Sequence, residues 1–372
     1  MLKYSLKRIL LAFLTAFIIL TLTFFLVKSL NGESVQSTSE GIKYGFYDKQ
    51  VNLNYMYHKV IPYQYLSSAD EFINPFPEFG DPVNLSDIVN GQFDFYDESR
   101  THWLDVYYNV PIVDQYFSWI KNIVTKWDWG TSTVIQPSVD TVKIIATRLP
   151  ETLKVNIVSV VLSVPIGIAL GIFAGLKKNT WIDHVISTLV MIFISIPSFV
   201  IISFMIYLFG VKGSLPITWP ENGSFAVRAS GYIIPVLSLS FGSICGYCRF
   251  VRAELCEVMS SEYLLLARTK GLTKSQAITR HALRNAFVPI LPSILAEVIG
   301  VFSGSMILEN LYNIHGIGDL YVRSLNSIPR DYNVLMVDMA IFTTIGLLAG
   351  IVLDLSYGFI DPRIRMGEKG NA

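Results

Sequence analysis

The sequence is poor in charged residues, which make up 16% of its 372 positions, whereas hydrophobic residues make up 52%. Soluble domains carry about 25% charged residues, so this deficit excludes an ordinary soluble domain and indicates a membrane protein. Lys plus Arg and Asp plus Glu are equal in number, at 29 each. With no basic excess and no nucleic-acid-binding motif, the sequence does not support a protein that binds DNA or RNA.

Cysteine is also scarce. Cys245, Cys248 and Cys256 lie close together, and the long polar segment has none, which excludes a disulfide framework. The first two have the C-x-x-C spacing of zinc and redox sites. No second such motif and no His pair accompanies them, so we interpret them as small apolar residues of a membrane helix.

Catalytic motifs are missing as well. The five histidines are scattered, and neither H-E-x-x-H nor G-x-S-x-G occurs. The phosphate-binding P-loop requires G-K-[ST], and "KGLTKS" at 270–275 lacks that order. The sequence therefore predicts a chain that is not an enzyme and does not itself hydrolyse ATP.

Long apolar runs are what the sequence has in abundance. A membrane-spanning helix needs roughly 20 predominantly apolar residues, and six runs meet or approach this length. They are Ile9–Val27, Val155–Leu176, Val185–Val211, Ala229–Cys248, Ala286–Leu308 and Asn333–Leu353. We predict an all-α polytopic membrane protein with six spans, the first of them retained rather than cleaved as a signal peptide.

Lys and Arg are concentrated in every second segment between these apolar runs. By the positive-inside rule, the N-terminus, the loop at 177–178, the stretch Arg249–Arg284 and the C-terminal tail are predicted to be cytoplasmic. The segment Asn31–Pro150 would then be external, and it holds fifteen Asp and Glu against eight Lys and Arg.

The long segment after the first span is rich in Tyr, Trp and Phe, which disordered segments lack. We therefore predict a small folded external domain, with "NPFPEFGDP" (Asn74–Pro82) as a loop within it. The spacing of apolar residues in "VDQYFSWIKNIV" (Val113–Val124) predicts an amphipathic helix.

The stretch "LLLARTKGLTKSQAITRHALRNAFVPILP" (Leu264–Pro292) interrupts the apolar sequence with basic and polar residues. Glu262–Lys270 contains good helix formers, and Gly271 predicts the end of that helix. "TKSQ" (Thr273–Gln276) fits the capping box that starts a second helix. An ordinary solvated cytoplasmic loop remains an alternative, although such a loop needs no helix–glycine–helix pattern.

This stretch resembles the cytoplasmic EAA-type loop of ABC importer permeases of the dipeptide/oligopeptide/nickel group, in particular the B-type subunit of oligopeptide permeases. "RLPETLKVNIVSVVLSVPIGIALGIFAG" (148–175), "MILENLYNIHGIGDLYVRSL" (306–325) and "LDLSYGFIDPRIR" (353–365) are similar to the same group in order and spacing. Leu265, His281 and Arg284 depart from the general motif in ways typical of the peptide-importing members.

The resemblance implies a type I ABC importer permease fold and a set of partners. These are a second homologous permease subunit, two ABC ATPase subunits that bind ATP and Mg, an extracellular substrate-binding lipoprotein, a peptide substrate and the lipid bilayer. No cofactor is expected in this chain. The EAA-type loop would be a coupling helix that docks on an ATPase, with contacts from Glu262, Ala267, Arg268, Lys270, Gly271 and Leu272.

The implied organisation has four parts: 1–30, cytoplasmic N-terminus and first span; 31–147, extracellular loop domain; 148–360, transmembrane domain with a coupling loop at about 257–286; and 361–372, cytoplasmic tail. The bacterial cell membrane is the expected location. The external segment is longer than the usual family version by about 40 residues on our reading, and we place the addition around Glu40–Tyr107, where it would dock the binding protein or cap the external mouth.

Carboxylates within membrane spans are costly and mark functional sites. Glu297 is the candidate for the translocation pathway, where it would contact a substrate N-terminus or cation; contact with the partner permease is the alternative. Glu309 and Asp338 are predicted at external or interfacial positions. No metal site is predicted.

Three other functions stay open. An importer of nickel or of a metal chelate shares these motifs and would show metal-dependent uptake. A channel or ion-coupled carrier would need no ATPase, and a membrane scaffold would need no glycine between the two helices of the loop.

Overall fold

The computed structural model describes residues 2–29, 40–62, 95–96, 102–327 and 330–360. Most of these residues are helical. The elements, in chain order, are α1 (Leu2–Ser29), α2 (Glu40–Asn52), β1 (Met56–Pro62), β2 (Phe95–Tyr96), β3 (His102–Asn109), α3 (Ile112–Lys126), α4 (Thr141–Leu176), α5 (Trp181–Ser195), α6 (Ser198–Met205), α7 (Phe225–Ser230), α8 (Ile233–Met259), α9 (Glu262–Thr269), α10 (Lys274–Ala277), α11 (Leu283–Ala286), α12 (Ile290–Gly300), α13 (Met306–Leu311), α14 (Ile317–Asn326) and α15 (Tyr332–Ile360). Two π-helical turns, Ile206–Val211 and Ile278–Ala282, extend α6 and join α10 to α11.

Four of the six predicted spans are single helices, and the other two runs are broken. Four are long and apolar enough to cross a membrane: α1, α4, α8 with the short α7 before it, and α15. Two bent helix pairs remain: α5 with α6, bent by 98°, and Lys274–Ala286 with α12, bent by 51°. Within the predicted run Ala286–Leu308, α12 has only 11 residues, so this run is not one continuous span.

Both bends lie at proline residues. Ile196 leaves the helical conformation and Pro197 precedes α6 directly, while Pro289 precedes α12. Proline lacks a backbone N–H and disfavours a helical residue before it, so the chain breaks at these points. Pro165, in contrast, does not break its helix and lies within the continuous helix α4.

The chain forms two compact units. The first consists of Met1–Ala16, Arg148–Leu320 and Ile341–Ala372, and the second of Phe17–Thr147 and Tyr321–Ala340. The long segment after the first span therefore belongs to the same unit as parts of α1 and α15.

A three-stranded antiparallel sheet in the order β1-β3-β2 belongs to the second unit. Strand β1 pairs with β3 from Met56 opposite Asn109 to Pro62 opposite Trp103. The sequence pattern does not predict the pairing of β1 with β3, because the paired residues lie more than 40 positions apart in the chain. The predicted amphipathic helix at 113–124 is confirmed as α3. The predicted loop at 74–82 lies outside the described residues.

An aromatic cluster forms the core of the second unit. Its buried members come from α1, α3, α15 and the turn before β1, and they are Phe24, Val27, Leu53, Tyr55, Tyr116, Trp119, Tyr332, Leu335 and Met336. The buried carboxylate of Asp331 joins α15 to the loop after α3. It accepts hydrogen bonds from the Ser132 hydroxyl at 2.6 Å and from the backbone N–H groups of residues 133–135 at 3.0 to 3.2 Å.

In the first unit, α4 and α8 pack closely through a row of glycines. A Cβ atom added to Gly167 would lie 2.7 Å from the Tyr247 Cβ, and one added to Gly171 would lie 2.7 Å from the Cys248 carbonyl oxygen. Small residues four positions apart let the backbones of two membrane helices approach one another. This packing positions α8, whose C-terminal end leads directly into the basic stretch.

Candidate functional site

The basic loop, Glu262–Ala286, folds as predicted: a helix, a turn at Gly271 and a second helix. Helix α9 ends at Thr269, and Gly271 has a φ of +95°, a conformation that side chains other than glycine rarely adopt. The Thr273 hydroxyl accepts from the Gln276 N–H, and the Gln276 side chain accepts from the Thr273 N–H. This reciprocal capping box starts α10.

The two short helices are held against α8 by a small apolar core. Its buried members are Leu255, Leu264, Ala277, Ala282 and Ala286. A face of three alanines lets the second helix approach α8 closely. The loop is therefore a compact extension of a membrane span rather than a solvated linker, and a displacement of the loop would be passed to α8.

The predicted coupling residues divide into two groups. Glu262, Arg268 and Lys270 are exposed and available to a partner. Ala267 is half-buried, and Leu272 packs against the apolar core of the loop. Leu272 therefore supports the loop's own fold.

The structure adds exposed apolar side chains that the sequence reasoning did not select. Tyr263, Leu265 and Leu266 on α9 are 41%, 63% and 57% exposed. A cavity of about 260 Å³ lies beside Leu265, and its lining includes Glu262, Arg268 and Lys274. An apolar group with a basic rim has the composition of a protein-docking surface. The sequence run that encodes this surface is "YLLL", which is equally typical of the buried face of a helix.

A buried ion pair joins α5 to α8 near the same loop. Asp183 is fully buried, and its carboxylate accepts from Arg252 Nε at 2.5 Å and from Arg252 Nη2 at 2.8 Å. It also accepts from the backbone N–H of Asn179 at 2.9 Å and from the Ser187 hydroxyl at 3.3 Å. The sequence pattern places Arg252 in a basic stretch and does not predict its partner.

Glu297 lies on α12, within the second bent span. Its Oε1 accepts a hydrogen bond of 2.6 Å from the Ser243 hydroxyl on α8, and the phenol of Tyr247 lies near the same carboxylate. The side chain is half-buried. The structure thus brings the predicted pathway residue together with two hydroxyl groups that the sequence reasoning missed.

Glu309, on α13, is buried by its own chain. Its Oε1 accepts from the Thr152 hydroxyl at 3.0 Å and from the Ser305 N–H at 3.2 Å, and its Oε2 accepts from the N–H groups of Gly318 and Asp319 at 2.8 and 3.1 Å. Burial raises the pKa of Glu309 to about 7, although these donors lower it. The four donors thus offset only part of the cost of burying the carboxyl group.

The structure also places Asp338, the third predicted carboxylate, and explains a glycine beside Glu309. Asp338 is fully buried, on α15 in the second unit. Gly316 leaves room for the Glu309 carboxylate, because a Cβ atom there would overlap Glu309 Oε2 and Thr152 Oγ1. This close approach explains the first glycine of "NIHGIGDL", whereas a Cβ atom at the second, Gly318, would lie 2.8 Å from the backbone nitrogen of Met306.

Comparison with known proteins identifies the class. Residues 167–366, more than half of the chain, match the family described as "Binding-protein-dependent transport system inner membrane component". The chain therefore belongs to this family, and the matched range includes the whole basic loop. The prediction of a multi-pass inner-membrane permease of a transport system is confirmed.

Relatives with known names show which members of this family the chain is similar to. The chain is 30% identical over 271 residues to the dipeptide transport system permease protein DppB of Bacillus subtilis, covering 72% of this chain and 84% of the relative. It is 29% identical over 368 residues to a protein of the same name from Lactococcus lactis, covering 98% of this chain and 100% of the relative. The oligopeptide transport system permease protein OppB of Haemophilus influenzae is 30% identical over 259 residues, which cover 69% of this chain and 82% of the relative. The Lactococcus lactis match is long enough to include the 31–147 segment.

Proposed function

We propose that the chain is the membrane subunit of an ATP-driven importer of short peptides and forms half of its translocation pathway. The family and the names of the three relatives support this function. The partners are a second homologous permease, two ATPase subunits that bind ATP and Mg, and an extracellular substrate-binding protein.

The observation that carries the coupling role is the folded basic loop. The pair α9 and α10 is packed on α8 and displays Tyr263, Leu265 and Leu266 to the outside. Three exposed apolar side chains on one eight-residue helix are costly in water. Burial against a partner would stabilise the complex by about 25 cal/mol for each Å² of apolar surface covered. We assign this surface to the ATPase, with Arg268 and Lys270 at its rim.

The turn at Gly271 provides the test of this function. Gly271→Val places a β-branched residue at a φ of +95°, which is strongly disfavoured, so the second helix would start in another direction. We expect ATP-dependent trialanine uptake by proteoliposomes to fall by at least about 10-fold. Gly271→Asn, a residue that tolerates positive φ, should retain most of the uptake. Space is not the cause, because a Cβ atom at Gly271 would meet no atom within 4 Å.

Equal uptake by the wild type and Gly271→Val would contradict the coupling role. The same comparison addresses the other functions, since a carrier without an ATPase would transport trialanine without ATP. An importer of nickel or a metal chelate would accumulate the metal and not the peptide.

A charge placed on the apolar surface of α9 should separate the permease from the ATPase. Leu265→Glu buries a carboxylate in the proposed contact, and we expect the amount of ATPase that co-purifies to fall by about 10-fold or more. Ser275→Glu is the matched control, because Ser275 is exposed in the first turn of α10, where a negative charge is favourable. An equal loss of ATPase with Ser275→Glu would show that the effect is not specific to the α9 surface.

Orientation is open to a direct test. We propose that the termini and the loop at 257–286 are cytoplasmic, and that the 31–147 segment is external and docks the binding protein. In a cysteine-free background, a membrane-impermeant maleimide should label Lys126→Cys in intact cells and Ser275→Cys only after permeabilisation. Both positions are exposed. The reverse labelling pattern would refute this orientation.

A further inference from the structure

Glu297 places an ionisable carboxyl group within a bent apolar span. Among the residues that the structure describes, no Lys, Arg or His forms an ion pair with it. The Ser243 hydroxyl donates a hydrogen bond to it and the Tyr247 phenol lies close by, and neither group is a cation. An ionisable side chain in a membrane span is costly, and such groups face the interior of a helix bundle or a water-filled cavity.

Open space adjoins this carboxylate on both helices. Gly246 lies one turn from Ser243 on α8, and Gly300 lies one turn from Glu297 on α12, so each is on the same face as its neighbour. A Cβ atom at either glycine would meet no atom within 4 Å, and the same holds for Gly242. The carboxylate and the two hydroxyls thus border a space that a further group can enter.

The kinds of oxygen present indicate what that group is. A primary ammonium has three N–H donors and no acceptor, and Glu297, Ser243 and Tyr247 supply one carboxylate and two hydroxyl oxygens. A hard divalent cation takes six or more oxygen ligands, usually including several carboxylates. The described residues contain no group of three or more His, Cys, Asp or Glu that would hold a metal ion. The set suits an ammonium better than a metal.

We propose that Glu297, Ser243 and Tyr247 form a site within the membrane for the free α-ammonium group of the transported peptide. This inference rests on the proposed import of peptides. The carboxylate neutralises the incoming charge in a low-dielectric region, where charged hydrogen bonds are stronger than in water. The site would accordingly select for peptides with an unmodified N-terminus during translocation, after the binding protein has released them.

The test uses the complete importer with its binding protein in proteoliposomes that contain ATP. The probes are trialanine and N-acetyl-trialanine, which lacks the ammonium group. Glu297→Gln keeps the size of the side chain and removes its charge, and Glu297→Asp keeps the charge. Glu221→Gln is the matched control, because it removes a carboxylate from a side chain that is 56% exposed and lies outside the coupling loop.

We expect Glu297→Gln to lower the rate of trialanine uptake by at least about 10-fold, the effect of losing a charged hydrogen bond. Glu297→Asp should retain more uptake than Glu297→Gln, and Glu221→Gln should match the wild type. The uptake of N-acetyl-trialanine, relative to its own wild-type rate, should change much less. If the binding protein does not deliver the acetylated peptide, the comparison of the Gln and Asp variants decides.

Three results would overturn the site. One is an unchanged trialanine rate in Glu297→Gln. Another is equal loss in the Gln and Asp variants, and the third is a loss of the second permease subunit from purified Glu297→Gln, which would assign the carboxylate to the subunit interface. Failure of the proposed function is distinct, because the wild-type importer itself would then accumulate no trialanine with ATP.

Discussion

Replacing Glu309 by alanine is expected to lower the stability of the protein by about 3 kcal/mol or more. The substitution leaves four donors without their acceptor: the Thr152 hydroxyl and the N–H groups of Ser305, Gly318 and Asp319. Each buried donor without a partner costs about 1–3 kcal/mol, and the removal of a buried carboxyl group offsets part of that sum. The measurement is the thermal unfolding midpoint of the purified protein in detergent, which should fall by at least about 5 °C.

The control for this prediction is Glu221→Ala. Glu221 contacts His315 Nε2 at 2.5 Å, but its side chain is 56% exposed, so we expect a change within about 1 kcal/mol. Gly316→Ala should be as harmful as Glu309→Ala, because its Cβ atom would overlap the same carboxylate. Gly346→Ala, in open space on α15, should be tolerated. If Glu309→Ala unfolds at the wild-type temperature, the carboxylate is not what orders this loop.

Arg252→Ala should be more damaging than Asp183→Ala, although both break the same ion pair. Asp183 is fully buried, whereas the Arg252 side chain is 31% exposed. Without its partner, the arginine can reach water, but the carboxylate remains buried with only the Asn179 N–H and the Ser187 hydroxyl as donors. An uncompensated buried charge costs about 3–5 kcal/mol, so we expect a loss of this size for Arg252→Ala and a smaller one for Asp183→Ala.

The double variant sharpens the test. Asp183→Ala combined with Arg252→Ala should be more stable than Arg252→Ala alone, since no charge is then left buried. Arg249→Ala, an exposed arginine one turn away on α8, should change the unfolding temperature little. If the two single variants are equally stable, the exposure of the arginine does not decide the cost.

The ion pair also bears on transport. It joins the first turn of α5 to α8 at a point ten residues before α9 begins, while the glycine row on α4 packs against a neighbouring face of α8. The end of α8 that carries the loop is therefore restrained from two directions. We infer that a movement of α9 is transmitted to α8 as a whole and is not absorbed by local bending.

Four of the spans, the basic loop and the class of protein follow from the sequence alone. Long apolar runs show the four continuous spans because the thickness of the hydrocarbon core sets the length of a spanning helix. Gly271 and "TKSQ" show the turn and the second helix because a helix end and a cap are local properties of a few neighbouring residues. The amphipathic helix α3 follows from periodicity in the same way.

Which polar groups meet depends on the tertiary fold. Glu309 is paired with Thr152 across 157 positions, Glu297 with Ser243 across 54, and Asp183 with Arg252 across 69. Strands β1 and β3 pair across a similar separation. These contacts depend on how the helices pack and on which segments lie side by side. Local sequence patterns carry no record of that arrangement, because the periodicity of a helix defines its apolar face but not the helix that will cover it.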